Sequence, residues 1–530
     1  WEVLHINMEV QYRQLAILDF PEPDLLATLV TAYFTHFNPC LPVLHRKIFE
    51  ATLATGRHLV DPQFGSTVLG VCALGSKYCD DPRVILEGTN STLSAGFRYY
   101  RQLKPVVTFH TRLITLYEAQ TLCLYMLYLQ GSSQQRGCWA LAGMGMRSLV
   151  AVGAHRRNRF SDKREEEQWK FVFWIMLAVD RISSWSTDRP VAISSEDCDV
   201  EYPLYSSEQD FDEISPTENS NPPFMSYFVA YLKLIDIIGL AKSKINSTPK
   251  KDTMRLQAVV ADIDSALNAW MDAVPEHLRW NPYMENPLFL TQSAILHAQF
   301  HHIQIHIHRI FIVYSGHQSS QMSLNSSASL AICANSARAC THIMAAAINR
   351  GSKFHSHILT PVFYSAIILL VHIWVGRSTG MKVDLAKNVK DVETCLLILQ
   401  ANEGRWQTAG RLRDIILEVM HAAQLDLSQN GEDSRKRSRG GEDHDEFFTG
   451  YHENPQSVEA SVEGPKDGSE ASSWQPGQHF DNFFADPEWN EWGGYMNLDA
   501  LLHMFDSGSF RSESEAYDPS FEIPQSGTGP

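Results

Sequence analysis

Residues 161–190 read SDKREEEQWKFVFWIMLAVDRISSWSTDRP. Asp162 with Glu165 three residues later predicts a helical capping box, and the run Glu165, Glu166, Glu167 complements the positive end of the helix dipole. From Trp169 to Val179 only Lys170 interrupts a surface that is apolar on every side. Such a helix must be surrounded by others, and the Asp188, Arg189, Pro190 breaker ends it. Asp180 and Arg181 lie in or beside its most apolar part, where an unpaired charge costs several kcal/mol. Asp180 is therefore expected to pair with a basic group such as Arg147 or Arg98, as a structural salt bridge rather than a catalytic one.

Helical periodicity continues on both sides of this stretch. Leu25, Leu29, Tyr33 and Phe37 repeat at four-residue steps before Pro39 and Pro42, and a second helix resumes near Arg46. Further helices are expected near 66–79, 90–104, 114–130, 135–153, 224–246, 252–273, 288–315, 326–349, 358–376, 385–402 and 404–424. The expected fold is all-α, a multi-helix domain over 25–425. The polar, proline-flanked stretch 203–223 reads as a surface loop. The apolar run PVFYSAIILLVHIWV at 361–375 is short for a membrane span and contains His372, so a buried helix is expected and no membrane partner. The chain opens on Trp1 and not on a methionine, so a preceding region is expected, with 1–24 as the linker from it.

The formal charge of −17 over 530 residues is concentrated at one end. From Leu427 onwards there are 21 Asp and Glu against 6 Lys and Arg, which leaves the body almost neutral and without the basic face that DNA binding requires. The segment 426–530 is too polar to offset its ordering entropy and is expected to be a disordered acidic tail. Within it, FDNFFADPEWNEWGGYMNLDALLHMF at 480–505 sets Phe480, Phe483, Phe484, Trp489, Trp492, Leu501, Leu502 and Phe505 among five acids and no Lys or Arg. That pattern suits an activation segment whose charges keep the aromatics in water until a partner's groove takes them. The alternative is a segment that docks back on its own domain. Arg435, Lys436, Arg437 and Arg439 form an isolated basic run that fits a nuclear-localisation signal.

Nine cysteines, none in a C-x-x-C pair, sit mostly in apolar stretches, as free core thiols of a reducing compartment do. Asp80 and Asp81 suggest a magnesium-binding pair, but the downstream acid of such a motif is replaced by Arg83, and ordinary turn acids explain them better. The glycines of LAGMGMRS stand in an apolar helix, where close packing accounts for them. No P-loop, G-x-S-x-G or dinucleotide turn occurs.

The residues that most suggest chemistry are at 297–308, HAQFHHIQIHIH, with two histidine pairs at i, i+4. No Gly or Pro lies between Pro287 and Gly316, so the segment is a helix. Leu296, Phe300, Ile303, Ile307, Ile310 and Phe311 then share one stripe, with His297, His301 and His308 along one border and His302 and His306 along the other. On this geometry the histidines flank a buried face without converging. A catalytic zinc needs three ligands and a base, yet no Asp or Glu occurs from Asn286 to Val383. Half-buried histidines bonded to neighbouring helices are expected, with no catalytic and no metal site in this chain.

Several ordered stretches together resemble the middle homology region of fungal-specific transcription factors, and among these the xylanolytic-activator regulatory domain. They are YFTHFNPCLPVLHRKIF, FRYYRQLKPV, LYEAQTLCLYMLYLQGSSQQRGCWALAGMGMRSLVAVGAHRR and EEEQWKFVFWIMLAVDRISSWSTDRPVAISSEDCDVEYP. The resemblance runs from about Leu25 to Leu425. It makes Asp180, Arg181, Arg189, Pro190, His308 and Arg309 structural positions of the family. Relatives usually carry Gly before the Arg-Pro, where Asp188 stands here, and an LHRPF-like run matched by IHRIF at 307–311. Ile310 replaces its proline, which lets the helix continue.

The resemblance also implies a nuclear regulator whose DNA contacts and zinc belong to an N-terminal six-cysteine binuclear cluster, absent here. The cofactor and the DNA partner are thus inferred for a longer parent, as is a homodimer through an element upstream of Trp1. The tail would recruit transcription machinery. Two other readings stand beside a transcription activator: an all-α metabolite-sensing module, and an all-α metal-dependent enzyme centred on the histidine helix.

Overall fold

A computed structural model describes residues 18–104, 112–132, 136–203, 225–249, 252–315, 324–379 and 382–422. Among them are fourteen α-helices and no strand. In chain order these are α1 (Pro23–Ala32), α2 (Arg46–Ala54), α3 (Pro62–Gly75), α4 (Phe97–Tyr100), α5 (Leu116–Leu129), α6 (Arg136–Val152) and α7 (Lys163–Ser186). They continue as α8 (Ser226–Ser247), α9 (Thr253–Asp272), α10 (Pro287–Ser315), α11 (Leu324–Asn349), α12 (Leu359–Thr379), α13 (Leu385–Glu403) and α14 (Gln407–Ala422).

Side-chain caps fix several of the starts. Asp61, Asp252 and Asp384 accept hydrogen bonds from backbone amides in the first turns of α3, α9 and α13. A full capping box occurs at α5, between Thr115 and Glu118. At α7 the expected box is only half present. Asp162 caps Arg164 N at 2.9 Å, but the Glu165 carboxylate turns forward to Trp169 Nε1 at 3.2 Å, the neighbour one turn along the same face.

One expected helix is largely missing. Over 90–104 the chain forms a short 3₁₀ turn and then the single turn of α4. Gly96 separates them at φ +78°, and a Cβ there would stand 2.3 Å from the Ala73 carbonyl oxygen. The close approach of α3 therefore imposes a backbone that a continuous helix cannot adopt.

α7 packs against α5, α6 and α8, and its residues from Trp169 to Arg181 are all buried. Gly145 lets α6 approach it, because a Cβ would lie 2.6 Å from Met176 Cε. α10 pairs with α11, and α12 lies among α10, α11, α13 and α14. Leu359–Arg377 of α12 is long and apolar enough to cross a membrane, but 83% of it is buried inside the protein.

The apolar core is continuous from Leu25 to Met420. Early and late helices of the described chain are tied by Tyr78 Oη to His355 Nδ1 at 2.7 Å, and by Trp406, whose ring covers Gly131 so closely that a Cβ there would overlap it at 2.2 Å. Residues 18–22, read as linker from sequence, are packed as well. Asp19 pairs with Arg98 at 2.7 Å, and the Phe20 ring meets His58.

Candidate functional site

One group of buried polar side chains lies where the chain leaves α7 and runs back along it. At the end of the helix Asp188 adopts φ +51°, the left-handed conformation that glycine enters most cheaply. This accounts for the glycine expected there in relatives. Here the aspartate places its carboxylate 2.8 Å from Lys242 Nζ of α8, whose side chain is only 7% exposed. Arg189 stacks its guanidinium over the Trp139 ring, 5.1 Å from its centroid. The Pro190 carbonyl accepts from Trp139 Nε1 and Ser184 Oγ, both at 3.0 Å.

From Pro190 the strap of residues 190–202 is held at successive turns of one α7 face. Ala192 N donates to Asp180 Oδ2 at 2.8 Å, Ser195 Oγ lies 2.6 Å from Arg181 Nη2, and Trp174 Nε1 donates to the Glu201 carbonyl at 3.0 Å. Arg181, buried at 2%, is neutralised by Asp236 of α8, which also accepts from Tyr202 Oη. Gly239, one turn on, leaves room for that guanidinium, since a Cβ would meet Arg181 Nε at 3.1 Å.

The expected ion pair of Asp180 with Arg147 or Arg98 is not formed. Arg98 goes to Asp19, and Asp180 is met by a backbone amide instead, leaving Oδ1 without a hydrogen-bond partner among the described residues. Burial holds its carboxyl above the usual carboxylate range, against the Ala192 amide, Arg181 and Arg147. Sequence reasoning also missed Asp236, though it is the only acid in the apolar α8. A lone carboxylate in such a helix signals a buried cation opposite it.

The histidine helix is more deeply buried than a bordered stripe. His297, His302, His306 and His308 are each 6% exposed or less, because α10 meets α8, α9, α11 and α12. His302 and His306, expected not to converge, have ring centroids 4.8 Å apart and both meet Tyr364; His306 also lies against Trp185 of α7. Burial pushes His301 down to about 4 and His302 to about 3, with Arg309 also opposing charge on His302. Among the described residues the one histidine of this helix with a carboxylate is His308, whose Nε2 is 2.9 Å from Asp264 of α9. Arg309 lies over the Tyr364 ring at 5.6 Å. Ile310 lies inside α10, which runs on to Ser315. Among the described residues no three His, Cys, Asp or Glu side chains are grouped to hold a metal.

Asp81 caps Arg83 N at 2.9 Å, and Arg83 bridges Asp81 and Asp24 at 2.7 Å each. These are turn acids tied by an arginine. The loop 203–223 beyond Pro203, the basic run Arg435, Lys436, Arg437, Arg439, and the segment from Phe480 to Phe505 lie outside the described residues.

The profile of the fungal specific transcription factor domain matches residues 30–272, which include all of α7, the strap and α8. Over these residues the chain is similar to the fungal-specific transcription factor family. It is 26% identical over 324 residues to cutinase transcription factor 1 alpha of Fusarium vanettenii, covering 58% of this chain and 33% of that protein. It is 26% identical over 318 residues to the acetamidase regulatory protein of Aspergillus fumigatus, 58% of this chain and 38% of the relative. An uncharacterized transcriptional regulatory protein of Schizosaccharomyces pombe matches over 422 residues at 21% identity, 76% of this chain and 53% of its own length. The chain thus spans between a third and about half of these curated relatives. They are named as transcription factors and regulatory proteins.

Proposed function

We propose that residues 25–425 are the regulatory body of a nuclear fungal transcription activator and that 426–530 are its activation tail. The observation that carries this is the family match across the α7 strap, supported by relatives named as transcriptional regulators. DNA recognition belongs, on this reading, to a binuclear zinc cluster in a longer parent, with zinc as that cluster's metal and dimerisation upstream of Trp1. The near-neutral body agrees with this division of labour, since it carries no surplus of positive charge for phosphate contacts.

The tail's role rests on its composition: acids keep Phe483, Phe484, Trp489 and Trp492 solvated until a component of the transcription machinery buries them. Residues 440–530 fused to an unrelated DNA-binding domain should activate a reporter, and alanine at these four aromatics should reduce activity to background. Full activity in that variant would sink the aromatic mechanism.

A further inference from the structure

Beside the strap is an open cavity of about 350 Å³, towards the lower end for small-molecule sites. Its walls come from three pieces of chain. α6 contributes Met146, Arg147 and Val150; the turn after it contributes His155 and Arg156; the strap contributes Ala192, Ile193 and Asp197. The turn and the strap are fastened together, with the His155 carbonyl accepting from Asp199 N at 3.1 Å and Val200 N at 3.2 Å. Arg157 N adds a bond of 3.0 Å to Asp199 Oδ1. The cavity is therefore a built feature of the fold.

Among the described residues neither of its two arginines has a carboxylate within ion-pair distance. Among the described residues Arg147 donates to the Gly143 carbonyl of its own helix alone, at 3.5 Å, and the Arg156 guanidinium makes no hydrogen bond or ion pair. The neighbouring cations differ: Arg157 pairs with Glu201, and Arg181 with Asp236. His155 Nδ1 is buried there without a hydrogen-bond partner among the described residues. Met146, Val150 and Ile193 supply apolar wall to the same cavity.

We propose that this cavity binds a small carboxylic acid with a short apolar body, its carboxylate taken by Arg147 and Arg156 and its body by Met146, Val150 and Ile193. Arginine forks match a carboxylate in shape and number of donors. Asp197, which lines the same cavity, favours an acid that also carries a hydroxyl donor. A ligand here touches Ala192, the residue whose amide holds Asp180, so binding bears directly on the strap.

The test uses the whole chain, with hexanoate, 6-hydroxyhexanoate, hexanamide and inorganic phosphate as probes in calorimetry and thermal unfolding. The two acids should bind and raise the Tm, whereas hexanamide and phosphate should not. Arg147→Gln with Arg156→Gln should weaken acid binding by about tenfold or more. Both side chains are exposed, so the variant should stay folded, and Val150→Trp, which fills the cavity, provides a second route to the same loss. The proposal is overturned if neither acid binds up to millimolar concentration, if hexanamide binds as well as hexanoate, if phosphate alone binds, or if binding survives either variant. Because binding is read directly, the result is independent of whether the chain activates transcription.

Discussion

Asp188 shows how one residue fills two incompatible roles. Its φ of +51° asks for glycine, and its carboxylate faces the nearly buried Lys242. Replacing it by glycine or by alanine removes the ion pair equally, so the difference between the two variants isolates backbone strain. Asp188→Ala should be less stable than Asp188→Gly by about 1 kcal/mol, measured by urea denaturation; equal stabilities would show an unstrained turn. Arg181 poses the opposite problem, because its charge is buried at 2% and depends on Asp236. Asp236→Ala should destabilise by about 3 kcal/mol, and Arg181→Met by much less, since Asp236 remains partly in solvent. Equal losses would mean that the pair adds stability in its own right. Neither the Asp188 conformation nor the partner of Asp180 could be read from sequence. Both depend on the strap turning back along α7, which brings Ala192 N to Asp180 where a charged group was expected.

Among the elements, α7 was legible because an all-round apolar run has only one stable environment, the middle of other helices. The helix at 90–104 was misread because aromatic FRYYRQL carries no local sign that Gly96 must pass the Ala73 carbonyl. α10 was misread in its surroundings and not in its type. Its period suggested one buried face, but helices cover it on several sides, so its histidines are core residues, and burial disfavours charge on His302 and His306. The groups facing His302 and His306 include Arg309 and Lys242, both cations that oppose protonation, and Tyr364 and Trp185, which are neutral. In the unfolded chain histidine titrates near about 6.5, whereas His302 in the fold waits until about 3. Between these values the unfolded state binds more protons, so stability falls as pH is lowered through that window. The Tm should therefore drop between pH 7.5 and 5, and His302→Gln should flatten the drop. An unchanged pH profile in that variant would remove His302 as a cause.

At the scale of the whole molecule, the family match ends at residue 272 while the core continues to Met420. Trp406 over Gly131 and His355 on Tyr78 join the later helices to the matched part, contacts between residues more than 270 apart that no local pattern announces. The division into a neutral body and an acidic tail, by contrast, is plain from the distribution of charge. On the proposed function this chain carries transcriptional activation and the tail supplies it. The most direct measurement fuses residues 1–530 or 1–426 to an unrelated DNA-binding domain and reads a reporter gene in a fungal cell. The account predicts activation by 1–530 and background with 1–426. Equal activation by both, or none by either the whole chain or the tail alone, would contradict it.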